Sequence, residues 1–392
     1  MTPSPNDPVI VHVFGRTDVG RTREHNEDAF VVADLTRGNA TLQPEVRTHV
    51  VGDRGTLFMV ADGMGGAAAG EIASAMAIEV VMRELTTALG TTEPPTHEAF
   101  ATAMKQATAA ANAQIHSFAM EHPEFRGMGT TATVAGVLGS TVYLAQVGDS
   151  RAYLVRDGVG RQITKDQSLI QKLIEAGEIT EEEAEQSERR NIILQALGPE
   201  ASIKVDLTHQ QVRRGDVLVL CSDGLSGQVR PEEITAIVSQ EHDLVAACKR
   251  MIDRANENGG PDNITVIAAR FDGAGLLAPA EEDAVGHRVF SLASEATTTP
   301  ITAMESVPSS TTATTAEMPA TPRSTKRLPP EAFVLTPSIP RDQSARRRRG
   351  SLIALLCMLL FLGLATWWAY KEAERVVAPR HAGSATPADT RP

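Results

Sequence analysis

The sequence predicts an α+β domain over most of its N-terminal part, on three observations. Four apolar, β-rich runs of strand length are bounded by turn residues: 57–61, 141–147, 216–221 and 263–271. Two long stretches with helical apolar spacing stand between the first and second runs. Strands and helices then do not alternate strictly, which argues against a doubly wound parallel sheet.

Each element has its own signature. Leu57-Phe-Met-Val-Ala61 runs into Asp-Gly, and Thr141-Val-Tyr-Leu-Ala-Gln-Val147 into Gly-Asp. Asp216-Val-Leu-Val-Leu-Cys221 runs into Ser-Asp-Gly, and the run 263–271 follows Pro-Asp. In the first helical stretch, 70–89, Ile78, Val81, Leu85 and Leu89 recur at three-four spacing. In the second, 97–120, the stripe is Phe100, Met104, Ala107, Ala111, Ile115 and Phe118. Hydrophobic residues make up 42 % of the 392-residue chain and aromatic residues only 4 %, so the core has to rest on aliphatic side chains.

Composition divides the chain into four parts. The folded domain is expected over 9–272. Residues 273–345 are rich in Thr, Ser, Pro, Ala and Glu, too polar to offset the entropy of ordering, and read as a disordered linker. Residues 351–370 carry no charge, and at about 1.5 Å per residue they are long enough to span the roughly 30 Å hydrocarbon core of a bilayer. Trp367, Trp368 and Tyr370 lie at the far end, where interfacial aromatics belong. One transmembrane helix is therefore expected, followed by a short external tail, 371–392. Arg346, Arg347, Arg348 and Arg349 precede the span and should hold that side in the cytoplasm. The N-terminus shows no signal-peptide pattern. These readings give a single-pass plasma-membrane protein with its folded domain cytoplasmic and its C-terminus outside.

The formal net charge of −12 argues against nucleic acid as a partner, which requires a basic face. It suits a protein that gathers divalent cations with carboxylates, and equally a merely soluble one. Cys221, Cys248 and Cys357 form neither a disulfide framework nor a zinc pattern, and the first two read as core thiols.

The chemistry is written at the ends of the strands. Each run delivers an aspartate, namely Asp62, Asp149, Asp223 and Asp262, and an early segment adds Glu27 and Asp28. One Asp-Gly reads as a turn. Several at the termini of apolar strands can converge on one sheet edge, where mutually repelling carboxylates call for a cation between them. All-oxygen ligands select Mg²⁺ or Mn²⁺ over Zn²⁺. Two such ions about 3.5–4 Å apart can hold a bridging hydroxide for in-line attack on phosphorus.

At these residues the chain resembles the bacterial PPM (type 2C) metal-dependent protein serine/threonine phosphatases. The motifs, in family order, are Arg23-Glu-His-Asn-Glu-Asp28, Asp62-Gly-Met-Gly-Gly66, Gly129-Thr-Thr131, Gly148-Asp-Ser-Arg151, Ser222-Asp-Gly-Leu225 and Asp262-Asn-Ile-Thr265. The resemblance implies a four-layer α-β-β-α sandwich of two antiparallel sheets flanked by helices, with metals at one edge. It implies hydrolysis of phosphoserine and phosphothreonine with two core Mn²⁺ or Mg²⁺ ions. Asp62 would bridge the ions, the Gly63 carbonyl would bind the second, and Asp223 and Asp262 would complete the first. Glu27 and Asp28 would act through waters, Arg23 would bind the phosphoryl group, and Asp149 with Asp223 would hold a third, weaker ion. Phosphoproteins, Ser/Thr kinases and their substrates among them, are the implied partners. Gly65 and Gly66 are expected to serve backbone geometry, and Thr130 and Thr131 to shape the sheet; His25 is expected at the surface.

Two positions depart from family patterns. Met64 stands where eukaryotic relatives place a general-acid His. Gln167 follows Thr164-Lys-Asp166 where many relatives have His, leaving that side chain without an assigned role. The segment 169–197 resembles the family's flap, with a helix cap predicted from Thr180 to Glu183. Two other functions fit the same motifs: a dedicated partner-switching phosphatase for one regulator, and a phosphoprotein-binding pseudophosphatase. Lost ligands would mark the second, and a phosphopeptide panel would separate out the first.

Overall fold

The structure, a computed structural model, describes residues 4, 7–37, 48–90, 93–280 and 283–293, apart from 186, 188 and 190. The second compact unit, 305–392, lies outside the described residues, and with it the expected linker beyond 293, membrane span and tail. Among the described residues no helix is long and apolar enough to cross a membrane.

Two antiparallel sheets form the centre. One has six strands in the spatial order Val159–Gln162 (β10), Arg151–Arg156 (β9), Val217–Cys221 (β12), Ile264–Asp272 (β13), Ile10–Asp18 (β1) and Thr48–Val50 (β3). The other has five, in the order Asp206–Gln211 (β11), Thr141–Val147 (β8), Ala132–Leu138 (β7), Thr56–Ala61 (β4) and Ala29–Asp34 (β2). A two-stranded piece pairs Gly63–Met64 (β5) with Gly129–Thr130 (β6). Helices Ala67–Leu89 (α1) and His97–Glu121 (α2) cover the five-stranded sheet. Pro231–Gln240 (α6) and Leu244–Glu257 (α7) cover the six-stranded one. Leu169–Glu175 (α3), Glu181–Glu185 (α4) and Asp223–Ser226 (α5) are shorter.

The layering explains why the strand runs are apolar without alternation. In β4, Leu57, Met59 and Ala61 face α1 and α2, while Phe58 and Val60 join the core between the sheets. In β12, Leu218 and Leu220 point to that central core, and Val217, Val219 and Cys221 to α6 and α7. Both faces of β4 and β12 are covered, and each fully buried Phe or Leu contributes about 1.5–3 kcal/mol. The predicted helices are present within a few residues of their expected ends. Of the first stripe, Val81, Leu85 and Leu89 are buried and Ile78 only partly; Ala73, Ala77 and Val80 complete the face. Cys221 and Cys248 are buried free thiols, as expected.

The folded unit continues past Asp272: residues 273–277 pack beside the start of β1 and the turn before β12, and residues 288–290 run as a strap along the outer side of β11. The His209 N–H donates to the Arg288 carbonyl (2.9 Å) and the Phe290 N–H to the Leu207 carbonyl (2.9 Å). Phe290 meets Tyr143 and His209 edge-on, Leu276 and Leu292 are buried, and the Ala293 N–H donates to Glu98 Oε1 (3.0 Å). The composition of the stretch is polar. A few spaced apolar residues and a sheet edge hungry for partners suffice to order it.

Candidate active site at the sheet edge

The carboxylates meet where β4, β8 and β12 end and β13 begins. Asp62 lies between β4 and β5, Asp149 between β8 and β9, Asp223 at the start of α5, and Asp262 two residues before β13. The loop between β1 and β2 supplies Arg23, Glu27 and Asp28. Asn263 pins that loop: its Oδ1 accepts from the Glu27 N–H (2.8 Å), and its Nδ2 donates to the Val19 (3.0 Å) and His25 (2.9 Å) carbonyls. His25 is exposed.

Hydroxyls hold the acids in place. Asp28 is buried, and its Oδ2 accepts from Ser222 Oγ (2.8 Å) and Thr265 Oγ1 (2.6 Å). The Asp62 backbone N–H donates to Thr131 Oγ1 (3.0 Å), and its carbonyl accepts from Thr130 Oγ1 (2.9 Å) and the Thr131 N–H (2.9 Å). Thr131 Oγ1 in turn lies 2.8 Å from Ser150 Oγ. The expectation that Thr130 and Thr131 shape the sheet is met in a specific way: they fix the backbone of Asp62. The parts played by Ser222, Thr265, Ser150 and Asn263 escaped the sequence reading. Their signal was present, as polar residues that end or interrupt apolar runs inside the motifs.

Glycines let the pieces approach. A Cβ on Gly63 would collide with the carbonyls of Gly70 and Glu27, and one on Gly70 with the Glu27 carboxylate. Glu27 is thereby packed against the first turn of α1. Gly65 and Gly66 both have positive φ, the backbone role expected of them.

The electrostatics are those of crowded, buried acids. Burial pushes Asp28 up to about 7, aided by the charges of Asp223 and Asp262 and opposed by its two hydroxyl donors. Asp149 is also pushed up to about 7, by burial and then by Asp223 and Asp166. Asp62 is held well above the usual carboxylate range by burial and by Asp28, Asp223 and Asp149; Asp223 is raised by burial and by Asp262. Burial raises Glu27 too. Arg23 Nη2 donates to Asp262 Oδ2 at 2.8 Å, which raises the guanidinium further.

The donor set fits a hard divalent ion. It is all oxygen. Among the described residues, the only carboxylate oxygens that are buried without a hydrogen-bond partner are Asp28 Oδ1, Asp149 Oδ1 and Asp223 Oδ1, all of this cluster. The acids are not closed on a point: among the described residues no three His, Cys, Asp or Glu side chains stand as a ready ligand group. Asp262 is meanwhile engaged by Arg23, a partly exposed pair that a cation can replace.

Gln167, left without a role by the sequence, is fully engaged. Its Oε1 accepts from the Gly148 N–H (3.0 Å), and its Nε2 donates to Asp206 Oδ2 (3.0 Å) and the Lys204 carbonyl (3.2 Å). Beyond it, Thr180 and Glu183 form the predicted reciprocal cap: the Thr180 N–H donates to Glu183 Oε2 (2.9 Å) and the Glu183 N–H to Thr180 Oγ1 (3.2 Å).

A two-sheet sandwich with oxygen ligands gathered at one edge defines a metal-dependent hydrolase scaffold. The comparisons with known proteins are specific within that class. The family described as Protein phosphatase 2C matches residues 37–267. The serine/threonine phosphatase stp of Listeria monocytogenes is 38 % identical over 264 residues, covering 67 % of this chain and 96 % of that protein. Among solved structures, the serine/threonine phosphatase PstP/Ppp of Mycobacterium tuberculosis is 34 % identical, with a TM-score of 0.57, covering 67 % of this chain and 99 % of that one. The PstP catalytic domain in complex with two manganese ions is likewise 34 % identical, with a TM-score of 0.55 and the same coverage. The chain belongs to the protein phosphatase 2C family.

Proposed function

We propose that this chain hydrolyses phosphoserine and phosphothreonine in proteins with Mn²⁺ or Mg²⁺, from the cytoplasmic face of the membrane and against the products of Ser/Thr kinases. The observation that carries the catalytic part is the trio of buried, unpartnered carboxylate oxygens on Asp28, Asp149 and Asp223 around Asp62.

In this reading Asp62, the Gly63 carbonyl, Asp223 and Asp262 hold two core ions, Asp28 and Glu27 orient water beside them, and Asp149 with Asp223 holds a weaker third. Bound there, divalent ions supply charge stabilisation at the phosphoryl oxygens and make water acidic enough to deliver a nucleophile near neutral pH. The chain's own residues do the rest. Arg23 is half-exposed at the rim and carries a planar fork of donors that matches phosphate oxygens. Taking up a phosphoryl group means exchanging the Asp262 carboxylate for the substrate's oxygens. Ser222 and Thr265 keep one oxygen of Asp28 occupied, so only the other faces the site. Every residue the resemblance assigns as a ligand is present in the sequence, which supports catalysis over a binding-only role.

The membrane part rests on the uncharged stretch 351–370 and the four arginines before it. Kinases as partners rest on chemistry alone, since phosphoserine and phosphothreonine in proteins are what such enzymes make.

Two measurements test the reading. The chain should release phosphate from phosphothreonine peptides with Mn²⁺ and stop in EDTA; turnover that survives chelation overturns the metal reading. A reporter active only outside the cytoplasm should work when fused after Pro392 and stay silent when fused near Ala345; the reverse pattern overturns the topology.

A further inference from the structure

The turn that presents Asp149 is not held by its own strands alone. Gly148 has a φ of +103°, and a Cβ there would collide with the Thr131 side chain, so the turn is confined to a conformation suited to glycine. Its two backbone polar groups both go to one residue. The Gly148 N–H donates to Gln167 Oε1 (3.0 Å), and its carbonyl accepts from the Gln167 N–H (2.9 Å) and from Gln146 Nε2 (3.2 Å).

Gln167 makes three further connections. Its carbonyl accepts from the Leu194 N–H (2.8 Å), and its Nε2 donates to Asp206 Oδ2 and the Lys204 carbonyl. Ser168 bridges Ile193 next door. One residue therefore ties three pieces together: its side chain joins the turn before Asp149 to the start of β11, and its backbone carbonyl adds the stretch around Leu194. The strap holds β11 from its outer side through Leu207 and His209.

We propose that Gln167 is a positioning residue for the weak cation site of Asp149, fixing that carboxylate through the Gly148 turn and anchoring the turn to Asp206. This rests on the reading of Asp149 given above. The amide is suited to the task because its two ends differ: an acceptor meets the Gly148 N–H and a donor meets the Asp206 carboxylate. A carboxylate in its place keeps the first contact and sets two negative groups face to face at the second.

That asymmetry gives the test. Mn²⁺ binding is measured on the full chain in mild detergent, by paramagnetic resonance of the free ion, alongside thermal midpoints and phosphopeptide turnover. Gln167→Glu should weaken the weakest Mn²⁺ site by about 10-fold, as loss of a ligand's supporting contacts does. The two tight sites and the thermal midpoint should stay near wild type, and turnover should recover at high Mn²⁺. The double variant Gln167→Glu with Asp206→Asn reverses the hydrogen bond and should restore the weak site to within about twofold, a coupling that single contacts do not give. Asp149→Ala separates the two layers of the argument. If it leaves the weak ion bound, the assignment of Asp149 fails. If it removes the ion while Gln167→Glu leaves it untouched, Asp149 stands and the role of Gln167 falls. Equal weakening of all three ions together with a lowered thermal midpoint, or no rescue by the double variant, also overturns the proposal.

Discussion

The same strands end in two opposite kinds of charge. At one end β9 and β12 lead to Asp149 and Asp223, acids that each bury an oxygen with no partner. At the other end they carry Arg156 and Asp216, buried as deeply and fully matched. Arg156 Nε and Nη2 donate to the two oxygens of Asp216 at 2.9 and 2.6 Å, Nη2 also reaches the Gln211 carbonyl, and Nη1 the Asp283 carbonyl. The Arg213 N–H donates to Asp216 as well, and its guanidinium makes a two-pronged pair with Asp283. One end has spent its charges on itself and can only be structural. The other holds charge in reserve, which costs stability and is retained where a ligand will meet it.

The sharpest way to break the comparison is at the unmatched end. Asp62→Asn should lower phosphopeptide turnover by about 100- to 1,000-fold, the scale for removing a preorganised electrostatic group. The thermal midpoint without metal should hold or rise, because one of several repelling acids has gone. A variant that keeps its activity would dissolve the distinction.

The matched end should answer in the opposite manner. Asp216→Ala leaves Arg156 buried without its carboxylate and should cost about 3–5 kcal/mol in unfolding free energy. Turnover per folded molecule should be unchanged. A denaturant titration paired with active-site counting reads both numbers.

A pH series sharpens the contrast further. Asp28 and Asp149 are raised in the fold to about 7 by burial. A raised acid stabilises the fold below its unfolded pKa of about 3.9, and that contribution is lost as pH climbs toward the folded value. Metal-free protein should therefore lose thermal stability between about pH 4 and pH 7, and Mn²⁺ should flatten the slope. A slope unaffected by Mn²⁺ would place its origin elsewhere.

The smallest effect is expected at Asp283. Arg213 holds its carboxyl at about 2. A depressed acid contributes fully above about pH 3.9 and loses that contribution as pH falls through about 2. The pair is partly exposed, so Asp283→Asn should cost no more than about 1 kcal/mol at neutral pH. Hydrogen exchange at Phe290 should report its loosening first.

Legibility followed range along the chain. The strand runs at 57–61 and 141–147 carry their type in a few adjacent residues, and the aspartates after them could be read as one cluster because a sheet brings strand ends together. Which strands neighbour which could not be read: β1 lies between β3 and β13, partners far away in sequence. Hydroxyl supports were hidden for the same reason. Thr265 meets Asp28 only because β13 passes beneath the loop after β1. The strap was missed because Leu276, Phe290 and Leu292 are each unremarkable among polar neighbours, and their worth lies wholly in the surface that receives them. Gln167 looked like a gap in a pattern until its four polar groups could be counted against their partners.

The strap has a consequence for how copies of this protein behave when crowded. β11 is the terminal strand of its sheet, and a bare terminal strand is a template on which another chain can stack. Here that template is already taken by residues of the same chain, through Arg288 and Phe290. Edge-to-edge stacking is blocked at that strand, so copies of the domain brought close together cannot join through it.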